Sequence, residues 1–228
     1  MKKNIINIGK EVINIENKGL KILAKSINNN FVKAIEILKK TKGRIILTGI
    51  GKSGIIANKI SSTLSSTGSP SQFIHPSEAS HGDLGMLSRK DSIVALTFSG
   101  KTNELNDIFF YSKKNKIPLI IITSKSNSNL KQISKICIEL SNIKEACPLN
   151  LAPTTSTTAM LALGDAIAIV LMKLKKFTKK NENLENEINI LTKKWTYAQS
   201  ILKKPTLEIE SLLEEKYRLY DLISKAES

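Results

Sequence analysis

The segment Gly49-Ile50-Gly51-Lys52-Ser53-Gly54 closes the apolar run Ile45-Ile46-Leu47 and carries the strongest structural signal in the chain. Apolar residues followed by a glycine cluster predict a buried strand that turns sharply into a helix, here from Ile55 towards Leu64. The glycines also let an anion approach the first N–H groups of that helix, where the serine hydroxyl and the lysine add a donor and a positive charge. The segment therefore predicts either a phosphate site or a plain strand-to-helix turn with a surface lysine. Its spacing fits neither a Walker loop nor a dinucleotide-binding turn.

Length and composition limit the class of protein. A chain of 228 residues can form one well-buried domain with appendages or two small domains. No uninterrupted apolar run is long enough for a membrane span, and the N-terminus does not resemble a signal peptide, so we expect a cytoplasmic protein. We expect the two cysteines, Cys137 and Cys147, to be reduced packing thiols, since a single pair cannot build a four-ligand zinc site.

The formal charge of +15 raises the question of a nucleic-acid partner. Arginine, the preferred residue for bidentate recognition of phosphates and bases, occurs only at Arg44, Arg89 and Arg218. The lysines are spread along every segment, and aromatic residues are scarce. These features disfavour nucleic-acid binding, whereas a basic surface agrees with a phosphorylated small-molecule substrate.

Short apolar segments alternate with helical patterns along most of the chain. The expected strands are residues 45–47, 72–74, 92–97, 117–123 and 136–140. The expected helices are residues 12–38 with a break at 28–30, residues 55–64, a helix that follows the turn 99–102, a short helix around 130, and residues 159–173. This alternation predicts an α/β fold with a doubly wound parallel sheet covered on both faces. We divide the chain into N-terminal helices (1–42) that pack on an α/β core (43–176), followed by a tail (177–228).

The tail differs from the core in composition, being rich in Lys, Glu and Asn. Apolar residues recur there at helical spacing: Leu184, Ile188, Leu191, Trp195, Ala198 and Leu202. Pro205 breaks this pattern, and a final amphipathic helix is expected from Leu207 to Ile223. The tail therefore predicts helices but no second folded core.

Three polar turns are expected at the carboxyl ends of strands, where parallel sheets bind their ligands. The first is the glycine segment, the second is residues 75–86, and the third is Ser99-Gly100-Lys101-Thr102-Asn103-Glu104. We therefore predict one shared site that these three turns build together.

The second turn holds both histidines of the chain, His75 and His81, beside Glu78 and Asp83. Histidine can exchange a proton near neutral pH, which suits acid–base catalysis. The alternatives are a hydrogen-bonded loop histidine and a paired metal site, although the spacing matches no standard zinc motif.

In the third turn, the hydroxyls of Ser99 and Thr102 and the helical N–H groups that follow can hold a phosphate. Capping of the helix by Thr102 is the alternative. Glu104 lies in the first helical turn, where an acid either complements the helix dipole or, if it faces the cleft, acts as a base. Glu145 lies at another strand end, and taken alone it is expected to be a solvated surface residue.

Four segments together resemble the arabinose-5-phosphate isomerases of the sugar isomerase (SIS) domain superfamily, over roughly residues 5–178. The segments are GIGKSG (49–54), STGSPSQFIHPSEASHGDLGM (66–86), SGKTNE (99–104) and KEACPLNLAPTTSTTAMLALGDAIA (144–168). The resemblance implies a doubly wound sheet of five parallel strands and a homotetramer. It also implies the reversible conversion of D-ribulose 5-phosphate to D-arabinose 5-phosphate, the first step towards the Kdo sugar of lipopolysaccharide, with no required cofactor.

The same resemblance implies roles for individual residues. It assigns catalytic roles to Lys52, Glu104 and Glu145, with His81 lining the substrate site, and it implies that His75 binds a zinc ion that turnover does not need. The other substrate contacts that it implies are Ser53, Gly68, Ser69, His75, Thr97, Ser99 and Thr102. Isomerisation through an enediol needs a base and a partner for the developing oxyanion. We assign these two roles to Glu104 and Lys52, and we expect His81 to orient or protonate the substrate oxygens.

The chain departs from that family at three points. Relatives carry a catalytic histidine in an HPGG-type segment, whereas the aligned residue here is Asn186 and no histidine follows His81. Relatives also commonly carry a pair of cystathionine-β-synthase-type modules, for which 228 residues leave no room, and Phe98 replaces a small polar residue in the third turn. Two hypotheses follow: a minimal isomerase, or a non-catalytic SIS module that binds a sugar phosphate. The retained acid–base residues favour the enzyme.

Overall fold

The computed structural model describes residues 2–100, 102–124, 126–140 and 142–176, together with 190–197, 199–200, 214–215 and 218. The chain forms two compact units, Met1–Phe177 and Thr178–Ser228. In the second unit the described residues are helical, and Leu191 and Trp195 are exposed there. Leu184, Ile188, Ala198 and Leu202 of the tail pattern lie outside the described residues, as do Asn186, Pro205 and most of the expected helix 207–223.

Five parallel strands form one sheet in the first unit. They are β1 (Ile45–Gly49), β2 (Ser71–Phe73), β3 (Ser92–Leu96), β4 (Leu119–Thr123) and β5 (Ile136–Glu139), in the spatial order β2-β1-β3-β4-β5. All neighbouring pairs are parallel. The strand ends therefore share one edge of the sheet, here the carboxyl edge, and the strand starts share the opposite, amino edge. The predicted five-stranded α/β fold is confirmed.

Seven helices accompany the sheet within the described residues. They are α1 (Lys2–Ser26), α2 (Asn29–Lys40), α3 (Gly51–Ser66), α4 (Pro76–Ser80), α5 (Asn106–Asn115), α6 (Ser128–Ile133) and α7 (Thr155–Leu174), with 3₁₀ turns at Asp83–Met86 and Asn103–Leu105. The predicted break between the first two helices is confirmed, because the Asn28 side chain caps α2 by accepting the N–H of Asn30.

The core lies on both faces of the sheet. On one face the buried side chains of α1, α2, α3 and α7 pack against strand residues such as Leu47 and Val94. On the other face α5 and α6 pack against Ile93 and Ile121. Because both faces are covered, β1, β3 and β4 are buried along their whole length, which explains their continuous apolar runs.

Helix α7 begins at Thr155, four residues before the predicted start at Ala159. Nine of its residues are buried, and it packs against α1, α2 and α3. Among the described residues it is also the one helix whose length and apolar composition would suit a membrane span. Its packing inside the first unit accounts for that composition.

The sheet order creates a switch point between β1 and β3. These strands are neighbours, with Gly49 paired to Leu96, yet the chain leaves β1 towards β2 and leaves β3 towards β4 and β5. The turns that follow the two strands consequently diverge and leave a crevice between them, which is where open α/β sheets bind ligands.

Candidate active site

The glycine segment turns directly from β1 into α3. Gly51 has a φ of +55°, a conformation that L residues with a side chain seldom adopt, and a Cβ on Gly54 would lie 2.6 Å from the carbonyl oxygen of Gly49. The turn therefore needs glycine for its left-handed backbone and for the close approach of helix to strand. No side chain caps the start of α3, so its first N–H groups can bind an anion beside the exposed Lys52 and the half-buried Ser53.

The turn after β3 is held in place by hydroxyl groups. Thr97 is buried, and its hydroxyl lies 2.8 Å from the hydroxyl of Thr102. The alternative interpretation of Thr102 as a helix cap is wrong, because its side chain makes no capping hydrogen bond to the 3₁₀ turn that follows. Ser99 and Gly100 form the tip of the turn, where Gly100 has a φ of +67°.

Phe98 anchors this turn to the next strand. Its carbonyl oxygen accepts hydrogen bonds from the N–H and the hydroxyl of Ser124 and from the hydroxyl of Thr123. Its ring packs against the core on the α3–α7 face of the sheet. The phenylalanine that departs from the family pattern is thus a packing residue in this chain.

The segment with both histidines contains the helix α4 and a 3₁₀ turn, where the sequence predicted only a polar segment. His75 caps α4 as its Nδ1 accepts the N–H of Ser77 at 3.3 Å, and its ring meets the edge of Phe73 at 6.3 Å between centroids. Pro76 occupies the first position of the helix, where it needs no N–H partner. His81 ends α4 and is exposed.

A hydrogen bond that the sequence did not predict connects this segment to the helix that follows Glu104. The hydroxyl of Ser80 donates to the Asp107 carboxylate at 2.6 Å, and α4 packs against α5 and the 3₁₀ turn that precedes it. His81 follows Ser80 directly, and Glu104 lies one helical turn before Asp107. The contact therefore places the exposed residues His81 and Glu104 in the same neighbourhood, on elements that pack against each other.

Glu145 supports the start of α7. Its Oε2 accepts the N–H of Thr154 at 2.8 Å, the Thr154 hydroxyl at 3.0 Å and the N–H of Ser156 at 3.3 Å. Burial acts to raise the pKa of Glu145, but the hydrogen bonds from Ser156 and Thr154 outweigh it and lower the pKa below the ordinary value. The interpretation of Glu145 as a solvated surface residue is wrong.

Helices α3 and α7 bring Glu145 to the carboxyl edge. They pack side by side, with Gly164 against Ile60, and they run in the same direction, because Lys175 just after the end of α7 donates to Ser69 just after the end of α3. The same number of residues separates Gly51 from Ile60 as separates Thr155 from Gly164. The two helices therefore begin at the same edge of the sheet, with the glycine segment at the start of α3 and Glu145 at the start of α7.

Gly68 and Ser69 lie apart from these groups. They follow the end of α3 and precede β2, which puts them at the amino edge of the sheet. Ser69 is fully buried, and its hydroxyl accepts a hydrogen bond from the Lys175 ammonium at 2.9 Å. Within one copy of the chain, these two residues are not brought to the carboxyl edge.

A polar cleft of about 270 Å³ adjoins the turn after β3. Thr97, Gly100 and Thr102 line one side, and Asn127 and Asn129 line the other. These asparagines were not predicted as site residues, although they follow β4 and so lie at the same edge of the sheet.

The described residues do not form a metal centre. None of them belongs to a cluster of three or more His, Cys, Asp or Glu side chains that could hold a metal ion. One nitrogen of His75 is already used in capping α4, so this residue offers one ligand at most. His75 by itself therefore does not fit a zinc site.

A doubly wound sheet with glycine- and hydroxyl-containing turns at its switch point defines a class of α/β proteins that bind small anionic ligands there. Residues 37–170 match the SIS domain, and the chain belongs to that family.

The known relatives include several isomerases. Arabinose 5-phosphate isomerase KdsD of Francisella tularensis is 46% identical over 179 residues, which cover 77% of this chain and 55% of that protein. KdsD of Pseudomonas aeruginosa is 44% identical over 175 residues, covering 77% of this chain and 54% of the relative. The chain thus spans about half the length of the curated relatives it matches. An Escherichia coli structure in complex with arabinose 5-phosphate is 36% identical, with a TM-score of 0.77, and the match covers 82% of this chain and 99% of that one.

Proposed function

We propose that this protein is an aldose–ketose isomerase that interconverts D-ribulose 5-phosphate and D-arabinose 5-phosphate. The observation that carries the proposal is that the glycine segment, which holds Lys52, and the turn after β3 lie on either side of the switch point. His81 and Glu104 lie in one neighbourhood at the same edge of the sheet. The similarity to arabinose 5-phosphate isomerases, and to a solved structure that contains arabinose 5-phosphate, supports this substrate.

We propose that the two turns bind the phosphate group. Hydroxyls of Ser53, Thr97, Ser99 and Thr102 donate to it, together with the uncapped N–H groups at the start of α3. Because the Thr97 and Thr102 hydroxyls already lie within hydrogen-bonding distance of each other, they are ordered before the ligand binds. Pre-ordered donors lower the entropic cost of binding an anion.

We propose that Glu104 moves the proton between C1 and C2. Its carboxylate is exposed and therefore accessible to a substrate, whereas the carboxylate of Glu145 is occupied by hydrogen bonds from the start of α7. The Lys52 ammonium stabilises the oxyanion of the enediol, and His81 orients or protonates the substrate oxygens. Glu145 then acts as a positioning residue that holds the start of α7 at the carboxyl edge.

We propose a homotetramer in which a neighbouring copy completes each site. The first half of α1 is exposed, including the apolar side chains Ile5, Ile6 and Ile13, and a second copy would cover them. Any contact of Gly68 with a ligand would also have to come from the site of another copy, because Gly68 lies at the amino edge, whereas Ser69 is fully buried within its own chain. The same assembly is needed for zinc at His75, since one ligand cannot hold the ion.

We place the enzyme, as part of the same proposal, in the cytoplasm and in the formation of the Kdo precursor of lipopolysaccharide. It requires no cofactor for turnover. We retain the division into N-terminal helices (1–42), core (43–176) and tail (177–228).

The test is an assay of the purified chain with ribulose 5-phosphate, following the aldose product. The wild type should form arabinose 5-phosphate, whereas Glu104→Gln should abolish turnover and keep sugar-phosphate binding. The matched control is the same substitution at an exposed position on α2, Glu36→Gln, and this variant should remain active. Binding without turnover in the wild type would instead establish the non-catalytic module.

A further inference from the structure

Three clefts follow one another from the outer side of β5 and along α2 to the amino edge of the sheet, and the second shares Ile133 with the cleft beside the turn after β3. Their volumes are about 330, 360 and 330 Å³. The first and second share Ser134 and Lys135, and the second and third share Ile37 and Pro118. Neighbouring clefts therefore adjoin, and the three together are here called the basic groove.

The first cleft runs beside the edge strand β5, between the start of α2 and α6. Lys33, Lys131 and Lys135 line it, together with the side chain of Asn30, which donates to the Cys137 carbonyl. β5 is the edge strand of the sheet, and the three lysines of this cleft are exposed, so a ligand can reach them from solvent.

The second and third clefts continue the row of cations. Lys113 and Lys116 line the second, and Lys40, Lys42 and Arg89 are among the residues that line the third. These side chains come from the ends of α5 and α2 and from the turn before β3. The fold thus gathers lysines that are scattered along the sequence into one concave surface.

The ratio of basic to acidic residues is higher in the groove than in the whole chain. Nine basic and two acidic side chains line it among the described residues, whereas the whole chain has 35 basic and 20 acidic residues. The two acids are engaged elsewhere: Asp91 is buried and accepts the N–H groups of Arg44 and Ser88, and Glu139 accepts the N–H of Ser126 at 2.7 Å. Both carboxylates keep their negative charge, so the groove is positive because nine basic side chains line it against two acidic ones.

We propose that the basic groove binds linear inorganic polyphosphate. The ammonium group of lysine acts as a point charge and does not require a phosphate in one fixed orientation, unlike the bidentate guanidinium of arginine. A row of lysines therefore suits a chain of closely spaced phosphates. No Phe, Tyr or Trp lines the described groove, and Arg89 is its one arginine, so it offers neither base stacking nor bidentate reading of bases. Its concave shape and the lack of an aromatic anchor also differ from a surface that lies on a bilayer.

The test compares two triple variants of equal net charge. In the groove variant Lys33, Lys40 and Lys135 are replaced by Gln. In the control the exposed residues Lys18 and Lys21 of α1 and Lys173 of α7, which line none of the three clefts, are replaced by Gln. Binding of long-chain inorganic polyphosphate is measured between about 50 and 200 mM salt. The wild type should bind with an affinity that falls steeply with salt, and the groove variant should bind more than about tenfold more weakly. Its log–log salt slope should decrease by about 2, because each phosphate contact contributes about 0.7.

The control variant should stay within about twofold of the wild type, since it changes only the long-range field. Equal losses in both variants, or no binding by the wild type at about 50 mM salt, would overturn the proposal. So would tighter binding of single-stranded RNA with the same number of phosphates, which would make the groove a nucleic-acid site, or of anionic vesicles, which would make it a membrane contact. Thermal unfolding checks the fold of each variant, and the Lys→Arg triple at the groove positions should retain binding.

Discussion

Replacing Glu145 with Gln should lower stability by an amount that depends on pH. The carboxylate accepts hydrogen bonds from the N–H groups of Thr154 and Ser156 at the start of α7, and it also accepts the hydroxyl of Thr154. Loss of a helix cap costs about 1 kcal/mol, and loss of a negative charge beside a helix N-terminus costs about 0.3–1 kcal/mol. We therefore expect a loss of about 1.5 kcal/mol at pH 7, which corresponds to roughly 3–6 °C in Tm for a domain of this size.

The pH dependence has a defined sign. The pKa of Glu145 is lowered in the folded state. The stabilisation that its carboxylate gives the folded protein is therefore fully present above the ordinary pKa of 4.5, and it is lost as the pH falls through the folded-state pKa. The difference between wild type and Glu145→Gln, measured by urea unfolding, should therefore shrink from pH 7 to about pH 3. Glu36→Gln, at an exposed position on α2, is the control and should change stability by less than about 0.5 kcal/mol at every pH. If the difference in unfolding free energy between wild type and Glu145→Gln stays constant with pH, the ionised Glu145 carboxylate does not stabilise the start of α7.

Two further predictions concern the glycine turn and the thiols. Gly54→Ala should destabilise the protein by about 1–3 kcal/mol, measured by chemical unfolding, because the new Cβ would lie 2.6 Å from the Gly49 carbonyl oxygen; unchanged stability would show that the turn relaxes freely. Cys147 should react with iodoacetamide well before Cys137 at neutral pH, as followed by peptide mass spectrometry. Backbone hydrogen bonds, that of Ala152 foremost, lower the pKa of Cys147, whereas burial raises the pKa of Cys137 to about 11. The reverse order of labelling would contradict this assignment.

The sheet and the main helices could be predicted from the sequence because their signals are local. Apolar runs mark the buried strands, and the asparagines at 28–30 mark the break between α1 and α2. The start of α7 could not be placed from local pattern, because the residues Thr155 and Ser156 are as typical of loops as of helix starts. The acceptor for its first N–H groups is Glu145, which reaches them from the preceding loop.

Contacts between distant segments explain what the sequence could not predict in the candidate site. The hydrogen bond from Ser80 to Asp107 joins two elements whose separation in the chain hides their proximity. Gly68 and Ser69 lie close in sequence to His75, yet β2 separates them and puts them at opposite edges of the sheet. The short helix α4 was missed although His75 and Pro76 carry its capping signals, because one helical turn is too short to show a hydrophobic period.

The proposed isomerase site is best tested by a crystal structure of the protein with bound arabinose 5-phosphate. Such a structure locates the sugar relative to Lys52 and Glu104, the two residues to which we assign the proton transfer and the stabilisation of the oxyanion. We predict that the Lys52 ammonium and the Glu104 carboxylate both lie within about 3.5 Å of the C1–C2 end of the sugar, with the phosphate between the turns that follow β1 and β3. A sugar phosphate bound with either group turned away from that end, in every copy of the assembly, would contradict the proposed function.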